Sequence, residues 1–118
     1  MAAQPWTYRA AISRVVDADT FVVELDLGFN TYRIETLRLA GLDAPERNTP
    51  EGAEAKGAVA SWIADLSDAV YPVLVTTAKT DKYGRYVATV SNAAEPLPTL
   101  NDYLLQGGWA QPYPAPRT

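Results

Sequence analysis

A run of alternating apolar and polar residues near the start of the chain is the feature that constrains the fold most. Its apolar members occupy every second position: Phe21, Val23, Leu25 and Leu27. This alternation predicts a strand with one buried face. Gly28 and Asn30 predict a turn after it, residues 31–42 a strand that pairs back on the first, and residues 8–16 a strand before it. The first part of the chain is therefore predicted to be a three-stranded meander.

Helical spacing replaces this alternation after Pro45. Segment 49–68 carries apolar residues at that spacing, namely Val59, Trp62, Ile63 and Leu66, and is predicted to be a helix whose first turns two glycines leave uncertain. The remaining predicted elements are a strand at residues 70–77, a turn at 81–85, a strand at 86–91 and a short helix at 100–106. This order predicts a five-stranded α+β barrel of the oligonucleotide-binding (OB) type, with an open α+β sandwich as the alternative.

The length of 118 residues suits one domain, residues 1–118, with an irregular proline-rich tail from about residue 112. The first residues lack the apolar run of a signal peptide, and no segment has the length and apolarity of a membrane helix. We therefore expect a cytoplasmic monomer that contacts no membrane.

The chain contains neither cysteine nor histidine. Their absence excludes disulfides, thiol nucleophiles, the usual zinc sites and histidine-based acid–base catalysis. An enzyme with this composition must use carboxylates, arginine, lysine, tyrosine, hydroxyl groups or a metal bound by oxygen, such as Ca²⁺, Mg²⁺ or Mn²⁺. The net charge of −4 argues mildly against binding nucleic acid by bulk attraction. A local basic cluster or a bound cation would weaken that objection.

Asp17 and Asp19 stand two residues apart at the start of the central strand, where aspartate is a poor strand former and like charges repel. The pair is either an acidic turn or a place where a positive group lies between the oxygens. An EF-hand calcium loop is excluded, because the sixth position counted from Asp17 is Val22 and the twelfth is Gly28. A cation bound here therefore needs ligands from elsewhere in the chain.

Two other stretches contain suitable groups. In the first, Asp43 and Glu46 flank Pro45, which stiffens an acidic corner, and Arg38 lies on the strand that leads into it. The second concentrates positive charge around a turn: Lys79, Lys82 and Arg85. Each stretch alone could be a solvated turn. Together with the acidic pair they contain what a metal-assisted phosphodiesterase needs: carboxylates for a divalent cation, a further carboxylate to activate water, and guanidinium groups to bind a phosphate.

These motifs, in this order, resemble the thermonuclease (staphylococcal-nuclease-like) family, whose fold is a five-stranded barrel with helices. The matching stretches are VVDADT (15–20), LRLAGLDAPE (37–46), TDKYGR (80–85) and LNDYLLQGGWA (100–110). The resemblance extends from about residue 8 to residue 113. The hairpin segment ELDLGFN is also similar to phage-borne members, which implies a phage-encoded protein in a bacterial host.

The resemblance implies three groups of site residues. The implied metal ligands are the side chains of Asp19 and Asp43 and the main-chain carbonyl of Ala44, with Asp17 supporting the site from nearby. The implied catalytic residues are Arg38, Glu46 and Arg85, and the implied substrate-binding residues are Lys82, Tyr83 and Tyr113. In the family's scheme the glutamate orients or deprotonates water and the arginines bind phosphate. The implied activity is Ca²⁺-dependent hydrolysis of single-stranded or locally opened DNA and RNA that leaves 3′-phosphate ends.

Two other functions stay open at the level of the sequence. The same barrel could bind single strands or a protein partner without cutting, or it could serve as a structural or assembly protein on a borrowed fold.

Overall fold

The computed structural model describes residues 6–113, apart from the side chain of Lys79. In chain order its elements are β1 (Thr7–Asp17), β2 (Thr20–Asp26), β3 (Tyr32–Leu39), β4 (Leu42–Asp43), α1 (Pro50–Ala64), β5 (Val73–Thr80), β6 (Tyr86–Asn92), α2 (Leu100–Gln106) and β7 (Gln111–Pro112). Five strands close into a barrel in the order β1-β2-β3-β6-β5. Neighbouring strands are antiparallel except β3 and β6, which are parallel.

The closed barrel with its helices confirms the predicted OB-type fold and rules out the open sandwich. The predicted meander corresponds to the antiparallel pairs β1–β2 and β2–β3. Closure depends on the pairing of β3 with β6. Strand β6 comes after α1 and β5 in the chain, so the two paired strands are distant in sequence. This parallel pairing places Tyr86, at the start of β6, opposite Leu37 near the end of β3, so the turn before β6 lies beside the preceding part of β3.

The inward face of the barrel is the apolar face that the alternation predicts. Phe21, Val23 and Leu25 are all buried there, whereas Leu27, which was predicted to share this face, lies beyond the end of β2 and is exposed. The helices cover the barrel with further buried or partly buried side chains, among them Val59, Trp62 and Leu104, and Trp109 packs beside them after α2. The outward positions of the same strands are left available for polar groups.

Several element bounds differ from the sequence prediction, most clearly in β3, in β5, which also ends later than predicted, at Thr80, and in α1, which ends earlier, at Ala64. β3 stops at Leu39, because Gly41 adopts a φ of +79° and turns the chain into the separate strand β4. β5 begins at Val73, later than predicted, where the side chains become buried. Pro112, at the expected start of the tail, pairs with β4 as part of β7. Residues 114–118 lie outside the described residues.

Helix α1 begins sharply in spite of its glycines. The Thr49 hydroxyl caps the helix by accepting a hydrogen bond from the Gly52 amide at 3.0 Å, and Pro50 suits the first helical position. A side chain at Gly52 would collide with the preceding loop, since a Cβ there would lie 1.8 Å from the carbonyl oxygen of Glu46. The start of α1 therefore fixes the loop that carries Glu46.

Asn101 connects α2 to the barrel. Its buried side chain accepts from the Val90 amide at 3.0 Å and donates to the carbonyls of Ala40 at 3.0 Å and Ala88 at 3.1 Å. The amide thus satisfies main-chain groups on β6 and on the turn after β3 at once. Within residues 6–113, neither helix is long and apolar enough to cross a membrane.

Candidate functional site

Arg38, Asp19 and Asp43 form one cluster at the end of β3. Thr20 pairs with Arg38 across β2 and β3, so the β1–β2 turn that carries Asp19 lies beside Arg38. The Arg38 Nη2 atom donates to Asp43 Oδ1 at 2.9 Å and lies 3.5 Å from Asp19 Oδ2. Two carboxylates that are distant in sequence therefore share one guanidinium nitrogen.

Asp19 is a buried carboxylate whose two oxygens both have partners. Oδ1 accepts from the Thr20 hydroxyl at 2.9 Å, and Oδ2 accepts from the Ala44 amide at 3.0 Å. The main-chain carbonyl of Asp19 also accepts from the Leu39 amide at 2.8 Å. These bonds fix the carboxylate and bring Ala44 next to it.

The two carboxylates of the acidic pair contact different arginines: Asp19 contacts Arg38, and Asp17 lies near Arg47. Asp17 is only half-buried, and its Oδ2 lies 3.9 Å from Nη1 of Arg47. Sequence reasoning missed Arg47, although its position directly after Glu46 was a usable signal. Ala18, between the two aspartates, is buried without a positive φ, so alanine is unstrained there.

Tyr113, directly after β7, lies against the same cluster. Its ring is 5.2 Å from the Arg38 guanidinium carbon, and its amide donates to the Gly41 carbonyl at 2.9 Å. The ring face attracts the guanidinium, as in other cation–π pairs. The two-residue pairing of β4 with β7 therefore carries Tyr113 to the site.

The carboxylate of Glu46 is exposed and makes no hydrogen bond or ion pair with residues 6–113. Its main chain, by contrast, is fixed. The Glu46 carbonyl accepts from the Thr49 amide at 3.1 Å and from the Thr49 hydroxyl at 2.7 Å. An anchored backbone with an unpaired carboxylate suits a group that contacts water or substrate.

A second cluster occupies the turn between β5 and β6. The Arg85 side chain donates to Asp81 Oδ2 from Nε at 2.8 Å and reaches the same oxygen from Nη2 at 2.7 Å. The Tyr83 ring is 5.2 Å from the Arg85 guanidinium carbon and 5.2 Å from the Lys82 Nζ. Because β6 pairs with β3 next to Arg38, this turn lies along the same part of the barrel.

A cleft of about 420 Å³ adjoins the first cluster, since Asp43 and Ala44 form part of its wall. Its other walls include Glu51 and Glu54 of α1 and the segment 108–111, which contains Trp109. The candidate site therefore lies at the edge of a concave surface, which is where binding sites are usually found.

Fold and site together define a class: a small OB-type barrel that gathers carboxylates and arginines at one edge. Residues 36–117 match the family model described as staphylococcal nuclease homologue. The match covers more than half of the chain, so the chain belongs to that family, as the motifs predict. Asp17 and Asp19 precede the matched segment. No curated protein matches the chain.

Proposed function

We propose that the chain is a Ca²⁺-dependent phosphodiesterase that hydrolyses single-stranded or locally opened DNA and RNA and leaves 3′-phosphate ends. The observation that carries the proposal is the shared contact of Arg38 with Asp19 and Asp43. It gathers two carboxylates and a phosphate-binding group at the edge of a cleft, in a chain whose family is named for a nuclease.

The donor atoms fit a hard cation in their chemistry. Asp19 and Asp43 offer carboxylate oxygens, and Ala44 offers a main-chain carbonyl. Among residues 6–113 no third carboxylate joins them, so water and substrate oxygens would complete the ligand set, and Asp17 supports the site from outside it. A bound Ca²⁺ would polarise a phosphate oxygen and offset its charge.

The side chains of the chain itself perform the remaining tasks. The exposed carboxylate of Glu46 accepts a proton from the attacking water, a role usually worth roughly 10²–10⁴ in rate. Arg38 and Arg85 donate N–H groups to the phosphoryl oxygens as negative charge grows on them. Since the chain has no histidine, water or an arginine protonates the leaving oxygen.

Substrate binding would use the groups around the two arginines. Lys82 and Tyr83, beside Arg85, bind a terminal phosphate of the single strand. Tyr113 is 57% exposed although it contacts Arg38, so a base can still stack on it. The cytoplasmic location, the monomeric state and the phage origin stay predictions.

The direct test is a cleavage assay with the wild-type protein. A labelled single-stranded oligonucleotide is incubated with Ca²⁺, with Mg²⁺ or with a chelator, and the product ends are identified by mass spectrometry. We expect cleavage with Ca²⁺, none with chelator, and 3′-phosphate ends. Binding without cleavage would instead indicate a non-catalytic module, and neither binding nor cleavage a structural or assembly protein.

Two substitutions test the assigned roles. We expect Glu46→Gln and Arg85→Ala each to lower the turnover number by at least roughly 10²-fold, since one removes the base and the other a phosphate donor. Circular dichroism should show both variants folded. The control is Glu95→Gln, which removes an exposed carboxylate in the loop before α2. Undiminished activity in both variants would remove the assignment.

A further inference from the structure

We propose that Asp81 is the positioning residue for Arg85; the inference rests on the proposed phosphodiesterase function. Among the side chains that the structure describes within residues 6–113, Asp81 forms hydrogen bonds with Arg85 and with the main chain of its own turn, and it forms no hydrogen bond or ion pair with the Asp19–Arg38–Asp43 cluster. It therefore belongs to the phosphate-binding side of the site rather than to the cation-binding side.

The Asp81 carboxylate uses its two oxygens for two different tasks. Oδ1 accepts from the main-chain amides of Tyr83 at 2.9 Å and Arg85 at 3.0 Å, which shapes the turn. Oδ2 accepts a hydrogen bond from Nε of the Arg85 guanidinium and forms an ion pair with its Nη2. One carboxylate thus fixes both the backbone of the turn and the direction of the arginine side chain.

The turn itself is tightly closed. The Asp81 amide donates to the Arg85 carbonyl at 2.7 Å, and the Gly84 amide donates to the Asp81 carbonyl at 3.1 Å. Gly84 has a φ of +79°, a conformation that favours glycine. Because this frame is fixed, the guanidinium can present its Nη1 edge outwards while Asp81 binds the Nε edge.

Asp81 also keeps its charge under the conditions of the reaction. Burial is the largest single influence and raises the pKa of Asp81, but the hydrogen bonds from the Tyr83 amide and from the Arg85 side chain and amide outweigh it. The net effect is a pKa below the usual aspartate value. The ion pair with Arg85 therefore persists at neutral and mildly acidic pH.

The two arginines differ in whether their carboxylate partners are also proposed to bind the cation. The partners of Arg38 are Asp19 and Asp43, which the proposed function assigns to the cation. The partner of Arg85 is Asp81, which has no such second task. Arg38 would be released when the cation binds, whereas Arg85 stays oriented throughout.

Asp81→Asn separates the two tasks of the carboxylate. The asparagine oxygen can still accept from the amides of Tyr83 and Arg85. Its NH₂ group, however, can only donate, so it cannot form a hydrogen bond with the guanidinium, which also only donates. We expect the kcat for single-stranded substrate to fall at least roughly tenfold, with KM unchanged or lower and with unchanged Ca²⁺ affinity and thermal midpoint. In NMR spectra the Arg85 Nε–H signal should lose its protection from exchange. Glu95→Gln controls for the lost charge.

The outcomes distinguish this inference from the function on which it rests. If the wild type cleaves and Asp81→Asn retains or increases kcat, positioning by Asp81 is wrong. A protected Arg85 Nε–H in Asp81→Asn overturns it whatever the activity. If the wild type cleaves nothing, the proposed function fails, and with it a catalytic role for Asp81.

Discussion

At the scale of single residues, Arg38 decides how the candidate site is organised. The acidic pair in the sequence raises the question of which positive groups its carboxylates meet. In the structure Asp19 meets the Arg38 guanidinium, which also contacts Asp43, whereas Asp17 lies beside Arg47. Arg38 is only 16% exposed, whereas its partner Asp43 is 59% exposed. Arg38 and a cation would therefore compete for the same oxygens.

This competition predicts that Arg38→Gln strengthens Ca²⁺ binding while it lowers turnover. The Arg38–Asp43 pair, which has one exposed partner, contributes at most about 1 kcal/mol, so loss of that pair alone should lower the Kd by no more than about fivefold. Calorimetric titration of Ca²⁺ without nucleic acid measures the effect. The control is Arg33→Gln, because Arg33 lies on the same strand but pairs with Glu35.

Weaker Ca²⁺ binding by the Arg38→Gln protein than by wild type would contradict the competition. It would mean that Arg38 supports the carboxylates as cation ligands. The Arg33→Gln titration should coincide with wild type, which shows that lost positive charge alone does not alter the Kd.

At the scale of elements, the start of α1 and the loop that carries Glu46 form one unit. Thr49 caps the helix and also donates to the Glu46 carbonyl. Gly52 leaves the space that this carbonyl occupies. The position of Glu46, the proposed base, is thus set by the Thr49 cap and by the absence of a side chain at Gly52.

Gly52→Ala is expected to displace Glu46 and to lower kcat at least roughly tenfold, because the new Cβ would have to push the loop backbone away. Gly57→Ala is the matched control: it lies in the same helix and a Cβ there meets nothing within 4 Å. The control should keep its activity and gain about 0.5–1 kcal/mol in the free energy of unfolding. Steady-state kinetics and chemical denaturation measure the two quantities.

Equal kcat values for the Gly52→Ala and Gly57→Ala proteins would show that the loop position does not matter for turnover. A Gly52→Ala protein that loses stability but keeps its kcat would lead to the same conclusion.

At the scale of the whole molecule, charge is distributed unevenly. The net charge is −4, yet four basic residues lie in or beside the candidate site: Arg38, Arg47, Lys82 and Arg85. Substrate attraction should therefore come from these few local contacts rather than from the overall field.

This distribution predicts a shallow salt dependence of single-strand binding. With at most four phosphate contacts, a plot of log K against log salt should have a slope no steeper than about −3. Fluorescence anisotropy with a labelled oligonucleotide and the slow-cutting Glu46→Gln protein at constant Ca²⁺ measures the slope, and a further Lys82→Ala substitution should reduce it by about 0.7. A slope steeper than about −5 would indicate that basic residues elsewhere on the surface take part.

Most secondary structure could be predicted from the sequence, because it depends on neighbouring residues. Alternation located β2, the strand predicted before it corresponds to β1, and α2 spans the predicted residues 100–106. The end of β3 was missed because Gly41, which ends it, stands inside an alternating apolar pattern. The pairing of β4 with β7 was missed because two-residue strands leave no periodic signal.

The sequence by itself determined the order of strands and helices, the family and the chemical types available to the site, since these follow from local periodicity and from motifs. The tertiary structure alone decided which groups meet. It placed Arg38 between Asp19 and Asp43, and Arg47 beside Asp17. The reason is physical: these contacts depend on the closure of the barrel and on side-chain direction, which residues distant in sequence set together.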